Sequence, residues 1–349
     1  MNIFYKGADM KITVYGAGAI GGCIGARMAE AGHHVILVDK AQEHVNSINA
    51  RGLRLTGFGG DKTIAVRAIL PEQLSDPGLV FLAVRSGDTM EALDTLMPHV
   101  GPETSLISLQ NGMNPPVIAS RIGDERTVGA LVRLPVDCLE PGVVMQGKEG
   151  QIYIGELDGR QTDRVHLIRE LLSSACPTAI TDNIYGYLWA KLVWCCYAAV
   201  AAMHDEPNYM ILECEKYRDL FVKVIIESIT VARADGIDLE VLDDFDCRPF
   251  FKDPSKDRET MYGVLDNLAA KARESLKVKT TTWRDISVVG RETEVPWMTG
   301  YVVARGAHLG VPTPVNGAVV RIIKDLEQGK RSMGWHNLDE LNAVVTQSG

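Results

Sequence analysis

Lys191 is the charged residue whose setting says most about chemistry. It interrupts the apolar run Leu188 to Met203, LWAKLVWCCYAAVAAM, which carries no other charge. A lysine there either snorkels its ammonium to the surface or keeps it desolvated. Burial lowers a lysine's pKa toward neutrality, which suits a general acid for a carbonyl undergoing reduction. Glu294 follows Thr293 at the start of a helical pattern. An acid there either interacts with the helix dipole or serves a site. Thr280, Thr281 and Thr282 precede Trp283-Arg284-Asp285; such hydroxyls bind a carboxylate or cap a helix. Asn111, in Gln110-Asn111-Gly112, is a ligand-facing amide or a turn residue, since Asn-Gly is a strong turn signal. Arg85, after an apolar run, is a phosphate ligand or a solvated cation.

Metal chemistry has little to draw on. The eight histidines include no H-E-x-x-H, and the seven cysteines are odd in number with no C-x-x-C pair. That usage points to reduced thiols rather than a disulfide frame or a zinc site.

The stretch Lys11 to Asp39, KITVYGAGAIGGCIGARMAEAGHHVILVD, supplies a binding element. Lys11 to Tyr15 reads as a buried strand, Gly16, Gly18 and Gly21 form G-x-G-x-x-G, a helix runs from Ala19 to Ala31, and Val35 to Val38 is a second strand ending in Asp39. The first glycine permits the turn, the second lets backbone approach a pyrophosphate, and the third lets helix and sheet pack closely. Gly16, Ala17, Gly18, Ala19, Ile20 and Gly21 are therefore the expected diphosphate cradle, at a helix start with open N–H groups. Asp39 lies where an acid accepts ribose hydroxyls. The expectation is a dinucleotide cofactor.

Patterning then supplies the frame. Gln42 to Arg51 is helical, Leu53 to Leu55 and Thr63 to Ile69 read as strands, and Leu79 to Val84 is a continuous apolar run, as in a parallel strand buried on both faces. Asp88 to His99 is amphipathic, with Asp88 as its expected N-cap, and Ser105 to Leu109 is the next strand. This alternation predicts an α/β Rossmann-type, doubly wound parallel sheet, with Asp39, Arg85 and Asn111 at carboxyl ends of strands, where ligands bind. Val128 to Val136 and Val143 to Ile154 carry strand patterns around Glu140-Pro141-Gly142 and are expected to extend the sheet with antiparallel strands. Helical periods follow over Asp163 to Ala175, Ile184 to Met203, Tyr209 to Ala234, Arg258 to Leu276, Val295 to Leu309 and Pro314 to Gln328. The expected layout is an N-terminal extension over 1–10, including a second Met at position 10, a dinucleotide-binding domain over 11–175 and a helical substrate-binding and dimerisation domain over 182–349.

With 349 residues, 46% hydrophobic and 23% charged, the chain has globular composition. A net charge of −9 and a pI near 5.4 argue against a nucleic-acid binder that tracks phosphates. The N-terminus lacks a basic region followed by an apolar core, and the apolar run around Lys191 is short for a membrane span. The expectation is a cytoplasmic protein without a membrane or nucleic-acid partner.

Taken together, these signals resemble one family. The glycine fingerprint, Gln110-Asn111-Gly112, Pro141-Gly142, Trp189-x-Lys191-Leu192, Thr282-x-x-Asp285, Thr293-Glu294 and Gly310-Val-Pro-Thr-Pro-Val-Asn316 occur in the order found in ketopantoate reductases (2-dehydropantoate 2-reductases), over roughly residues 10 to 330. The resemblance implies a helical C-terminal domain like that of 6-phosphogluconate dehydrogenase, a homodimer, and hydride transfer between a nicotinamide cofactor and a small 2-keto or 2-hydroxy acid. It further implies that Lys191 donates the proton, Asn111 lies near nicotinamide and substrate, Glu294 supports the lysine and binds a substrate hydroxyl, and Thr282 holds the substrate carboxylate. Family asparagines four and eight residues after the lysine are replaced by Cys195 and Ala199, so the substrate-facing side has lost two amides and the substrate is expected to differ from ketopantoate. Lys40 and Arg85 match the basic positions that hold the extra phosphate of NADP, whereas Asp39 repels that phosphate and favours NAD. NAD is the favoured expectation and NADP the alternative. Two other readings stay open: an NAD-dependent catabolic hydroxyacid dehydrogenase of the same family, and a dinucleotide-sensing regulator without turnover.

Overall fold

The computed structural model describes residues 10–243, 245–274 and 278–347. The expected N-terminal extension lies outside the described residues except for Met10, which packs on the first hydrophobic core. The chain divides into two compact units, with the break between Ile184 and Tyr185.

In the first unit the elements follow in the order β1 (Ile12–Tyr15), α1 (Ala19–Glu30), β2 (Val35–Val38), α2 (Gln42–Arg51), β3 (Leu53–Gly57), β4 (Lys62–Ile64), β5 (Arg67–Ile69), β6 (Leu79–Leu82), α3 (Thr89–Leu96), β7 (Leu106–Ser108), α4 (Pro115–Ile122), β8 (Thr127–Arg133), β9 (Val136–Glu140), β10 (Val143–Gln146), β11 (Gln151–Glu156), α5 (Asp163–Ser173) and β12 (Thr178–Ile180). The main sheet has the order β12-β11-β8-β7-β6-β1-β2-β5. From β8 across to β5 all neighbours are parallel, and β11 is antiparallel to β8. All four residues of β6 are buried, as a strand covered on both faces requires. After β2 and β5 the chain returns to the other side of β1, so strand order reverses between β1 and β6, the place where such sheets bind ligands. The sheet continues to Ile180, past residue 175, because β12 pairs with β11.

Three strand expectations need correction. Val128 to Val136 is not one antiparallel strand: β8 lies parallel to β7 and ends at Arg133, and Val136 opens β9 in a second sheet. Thr63 to Ile69 is two strands in two sheets. Val143 to Ile154 divides likewise: β11 extends the main sheet, but β10 pairs with β3 and β9 in a second sheet of order β4-β3-β10-β9. Alternating apolar residues specify which face is buried but not which strand lies alongside. The helix α1 runs between the two sheets. A Cβ on Gly25 would meet Leu37 and Val14 of the main sheet, and one on Gly22 would meet Leu53 and Val144 of the second. This accounts for a helix so rich in small residues.

The second unit contains α6 (Ile184–Ala201), α7 (Asn208–Glu213), α8 (Arg218–Ala234), α9 (Pro254–Glu274, kinked at Asp257), α10 (Thr281–Arg284), α11 (Thr299–Leu309), α12 (Pro314–Glu327) and α13 (Trp335–Gln347). The single helix expected over Tyr209 to Ala234 is two, separated at Cys214 and a short 3-10 turn. Of the helix expected to reach Leu276, residues 275–276 lie outside the described residues. By length and composition α6 could cross a membrane, but 72% of it is buried in the protein, as in a core helix. Behind it α8 and α12 are locked together. The buried carboxylate of Glu227 accepts the backbone N–H groups of Val315 (3.1 Å) and Asn316 (2.9 Å) and the Asn316 side-chain amide (2.9 Å). Gly310, with φ +71°, ends α11. The Gly310 to Asn316 motif thus builds the turn and cap between two helices.

Candidate active site

The glycine loop is built as its residue types require. Gly16 has φ +101°, and a Cβ there would lie 2.7 Å from the backbone after β6. A Cβ on Gly21 would lie 1.9 Å from the Gly16 carbonyl oxygen, so backbone alone excludes a side chain at both the first and the third glycine. A Cβ on Gly18 would meet nothing within 4 Å; its side is open. No side chain caps α1, and the Gly22 N–H is the first to bond back into the helix, to the Gly18 carbonyl. The N–H groups of Gly18, Ala19, Ile20 and Gly21 therefore lie in the turn that intrahelical bonding leaves unsatisfied. An uncapped helix start under an open glycine fits a dinucleotide diphosphate.

Ala17 is held differently. Its N–H donates to Asp39 Oδ2 (2.9 Å), so that amide serves the loop itself. The other Asp39 oxygen accepts the Ala41 N–H (2.9 Å). The Ala17 carbonyl lies 2.9 Å from His44 Nε2, while His44 Nδ1 accepts the Gly142 N–H at 3.0 Å. That acceptor role fixes the imidazole proton on Nε2, which donates to Ala17. His44 is a buried brace between the glycine loop and the Pro141-Gly142 turn, and nothing in its local sequence marks it. Lys40 is paired with Asp88 (3.0 Å) and Glu91 (3.6 Å). Asp88 does occupy the N-cap position of α3, but its side chain does not cap; it is directed to Lys40.

Asn111 and Arg85 follow β7 and β6, and both are half-buried. Their two loops are tied by a buried polar network. Gln110 donates to the Val84 carbonyl (3.1 Å) and to Thr89 Oγ1 (2.7 Å). Thr89 donates to Asn114 Oδ1 (3.0 Å), and Asn114 donates to Ser86 Oγ (3.1 Å) and to the Asn111 carbonyl (2.6 Å). Ser86 also donates to that carbonyl, at 2.5 Å. Such a network fixes a backbone firmly because each member is satisfied by another. Ser86, Thr89 and Asn114 were not singled out in the sequence, since only the fold brings them together.

In the second unit, α6 presents one half-exposed stripe at spacing four, Tyr187, Lys191 and Cys195. Lys191 is half-buried between buried Ala190 and Leu192; Ala199, one turn beyond Cys195, is closed over at 1% exposure. Trp189 anchors the helix. It is 1% exposed and meets the ring of Tyr301 on α11 edge-on, with centroids 5.8 Å apart. Burial pushes the Cys195 thiol up to about 12, the Lys191 ammonium pulls it down, and Cys196 and Glu294 push it up. Lys191 and Glu294 thus both bear on the Cys195 thiol, with opposite sign, although 99 residues separate Glu294 from Cys195.

Glu294 does not sit in the first turn of a long helix, as expected. It precedes a 3-10 turn, Val295–Trp297, and α11 begins only at Thr299. Thr293 anchors it: its N–H donates to Glu327 (2.8 Å), and its hydroxyl accepts the Val295 N–H (3.2 Å). Among the three threonines, Thr280 is the cap, accepting the Trp283 N–H at 3.0 Å. Thr282 lies half-buried within α10, which continues into a π turn, Asp285–Val289. Buried Asp285 accepts Arg291 Nε (3.0 Å) and Nη2 (2.8 Å), closing the loop between the Thr282 and Glu294 segments. Among the described residues, no group of three His, Cys, Asp or Glu side chains is arranged to hold a metal ion.

The chain matches the family model "Ketopantoate reductase PanE/ApbA" over residues 12–159 and "Ketopantoate reductase PanE/ApbA C terminal" over residues 183–327. It is similar to a 2-dehydropantoate 2-reductase of Pyrococcus abyssi, at 28% identity over 92% of this chain and 100% of the relative. Among solved structures it resembles a PanE/ApbA family ketopantoate reductase from Ralstonia eutropha, with 27% identity and a TM-score of 0.77 over 92% of this chain and 99% of the other. A D-mandelate dehydrogenase with NADH and anilino(oxo)acetate shares the fold, with TM-score 0.78 and 19% identity over 92% of this chain and 99% of the other.

Proposed function

The chain belongs to the ketopantoate reductase family, and from that premise we propose that it is an NAD(P)-dependent oxidoreductase interconverting a 2-keto acid of the 2-dehydropantoate class and its 2-hydroxy acid, with Lys191 exchanging the proton. The observation that carries the reading is Lys191, half-exposed on α6 one turn before Cys195, a thiol that Lys191 and Glu294 bias in opposite senses. A lysine ammonium with a carboxylate bearing on the neighbouring thiol supports proton exchange at Lys191.

A bound nicotinamide would supply or take the hydride at the substrate's second carbon. Lys191 gives its proton to the substrate oxygen as negative charge builds there, and takes one back in the oxidative direction. Glu294 orients the ammonium or a substrate hydroxyl. Thr282 donates its hydroxyl proton in a hydrogen bond to the substrate carboxylate, and Asn111 offers its side-chain amide. The N–H groups of Gly18 to Gly21 hold the diphosphate. Asp39 accepts the ribose hydroxyls, and its negative charge beside the glycine loop supports NAD over NADP. A thiol at Cys195 is a weak hydrogen-bond donor, so the pocket wall there supports a substrate side chain less hydroxylated than that of ketopantoate.

The test is turnover followed by nicotinamide absorbance, with ketopantoate and branched or aromatic 2-keto acids, each with NADH and NADPH. The reading expects NADH-linked reduction of at least one acid and faster turnover of one lacking the ketopantoate hydroxyl. Ketopantoate reduced fastest, with NADPH, would overturn both specificity assignments.

A further inference from the structure

Lys40 stands directly after Asp39, at the end of β2, where a cation would ordinarily welcome a phosphate on the adenosine ribose. In this chain it is already engaged by Asp88 and Glu91 from the start of α3. The interaction raises the Lys40 pKa, with the Asp88 hydrogen bond as the leading cause. Asp88 reaches Lys40 in preference to capping its own helix. More negative charge lies nearby. The Tyr15 phenol at the end of β1 is pushed up mainly by burial, partly offset by a hydrogen bond with Thr95, and further raised by Glu91, Asp39 and Glu72. Among the described residues, Asp39, Glu72, Asp88 and Glu91 thus bring negative charge to the ends of β1 and β2 beside Lys40.

We propose that Asp88 and Glu91 are specificity-determining residues: by holding Lys40 they keep it from answering a 2′-phosphate, so the site takes NAD(H) over NADP(H). This rests on reading the first unit as a nicotinamide-dinucleotide site with Asp39 at the ribose. An exposed ion pair is worth little alone, and Lys40 is largely exposed. A 2′-phosphate, however, brings a charge of about −1.5 to −2. It must both take Lys40 from two carboxylates and approach them, along with Asp39. A free ribose diol does neither, so the pairing acts on the difference between the two cofactors.

The experiment uses the full chain and measures dissociation constants for NADH and NADPH by nicotinamide fluorescence, in wild type, D88N/E91Q and K40M/D88N/E91Q. The wild type is expected to favour NADH. In D88N/E91Q the ratio of the NADPH constant to the NADH constant should fall about tenfold, and adding K40M should restore it. E91Q alone, one exposed side chain, should move the ratio less in the same direction. An unchanged ratio in D88N/E91Q would overturn this inference while leaving the NAD reading intact. A fall that persists with K40M would overturn the role given to Lys40. Wild-type protein binding NADPH more tightly would overturn the reading of Asp39, and this inference with it.

Discussion

In the first unit the groups proposed to meet a ligand are mostly backbone amides, at Gly18 to Gly21, in a loop shaped by Gly16 and Gly21, which have no room for a Cβ, and by Asp39 and His44 on either side of Ala17. In the second the proposed groups are side chains, Lys191, Cys195 and Glu294, on two segments far apart in the chain, with α6 anchored by helix packing through Trp189. The first device is local and tolerates little change at single glycines. The second is assembled by the tertiary fold, so it should fail through packing faults well away from the charged groups. Damage to one unit should therefore read out differently from damage to the other.

The largest break of this contrast is Trp189→Ala. Removing a buried indole costs about 3–5 kcal/mol, measured as a loss of unfolding free energy in denaturant, and turnover should fall while the remaining folded protein still binds NADH. An indole that could be removed without loss of stability would show that α6 is not anchored through Tyr301. Next is Gly21→Ala, which places a methyl against the Gly16 carbonyl. Overpacking of that kind costs about 1–3 kcal/mol, and here it should fall on dinucleotide affinity, read as a weaker NADH dissociation constant. Unaltered affinity would mean the loop does not hold the diphosphate.

The smallest effect sharpens the link among the charged groups. A thiol with its pKa near 12 has little thiolate at pH 8, so Cys195 should alkylate at least about tenfold more slowly than exposed Cys138. The sign of each neighbour follows from its charge. Lys191→Met should slow Cys195 further and Glu294→Gln should speed it, both read by peptide mass spectrometry. Rates indifferent to both substitutions would separate the three residues.

This contrast also explains what the amino-acid order discloses. The glycine fingerprint, the apolar strand β6 and the uncapped start of α1 are legible because each depends on neighbours within a few residues. Lys191 stands out because one charge interrupts an apolar run. The second sheet is not legible because β10 pairs with β3, nearly ninety residues earlier, and alternation carries no record of that partner. His44 and the partners of Gln110 in its buried network, Ser86, Thr89 and Asn114, carry no local mark for the same reason. Their partners are chosen by the fold. Glu294 is legible as an acid at the start of a helical pattern, its role comes only from resemblance to a family, and its anchoring by Thr293 and Glu327 is visible only in the fold.

The central claim is that Lys191 exchanges the proton while the first unit binds the cofactor independently. It is tested most directly with Lys191→Ala, comparing the single-turnover rate of nicotinamide oxidation with the best keto acid against the NADH dissociation constant of the same preparation. The account predicts a rate lower by about two to four orders of magnitude with NADH affinity within about twofold of wild type, an amount worth less than one kcal/mol. A rate near that of the wild type would contradict it.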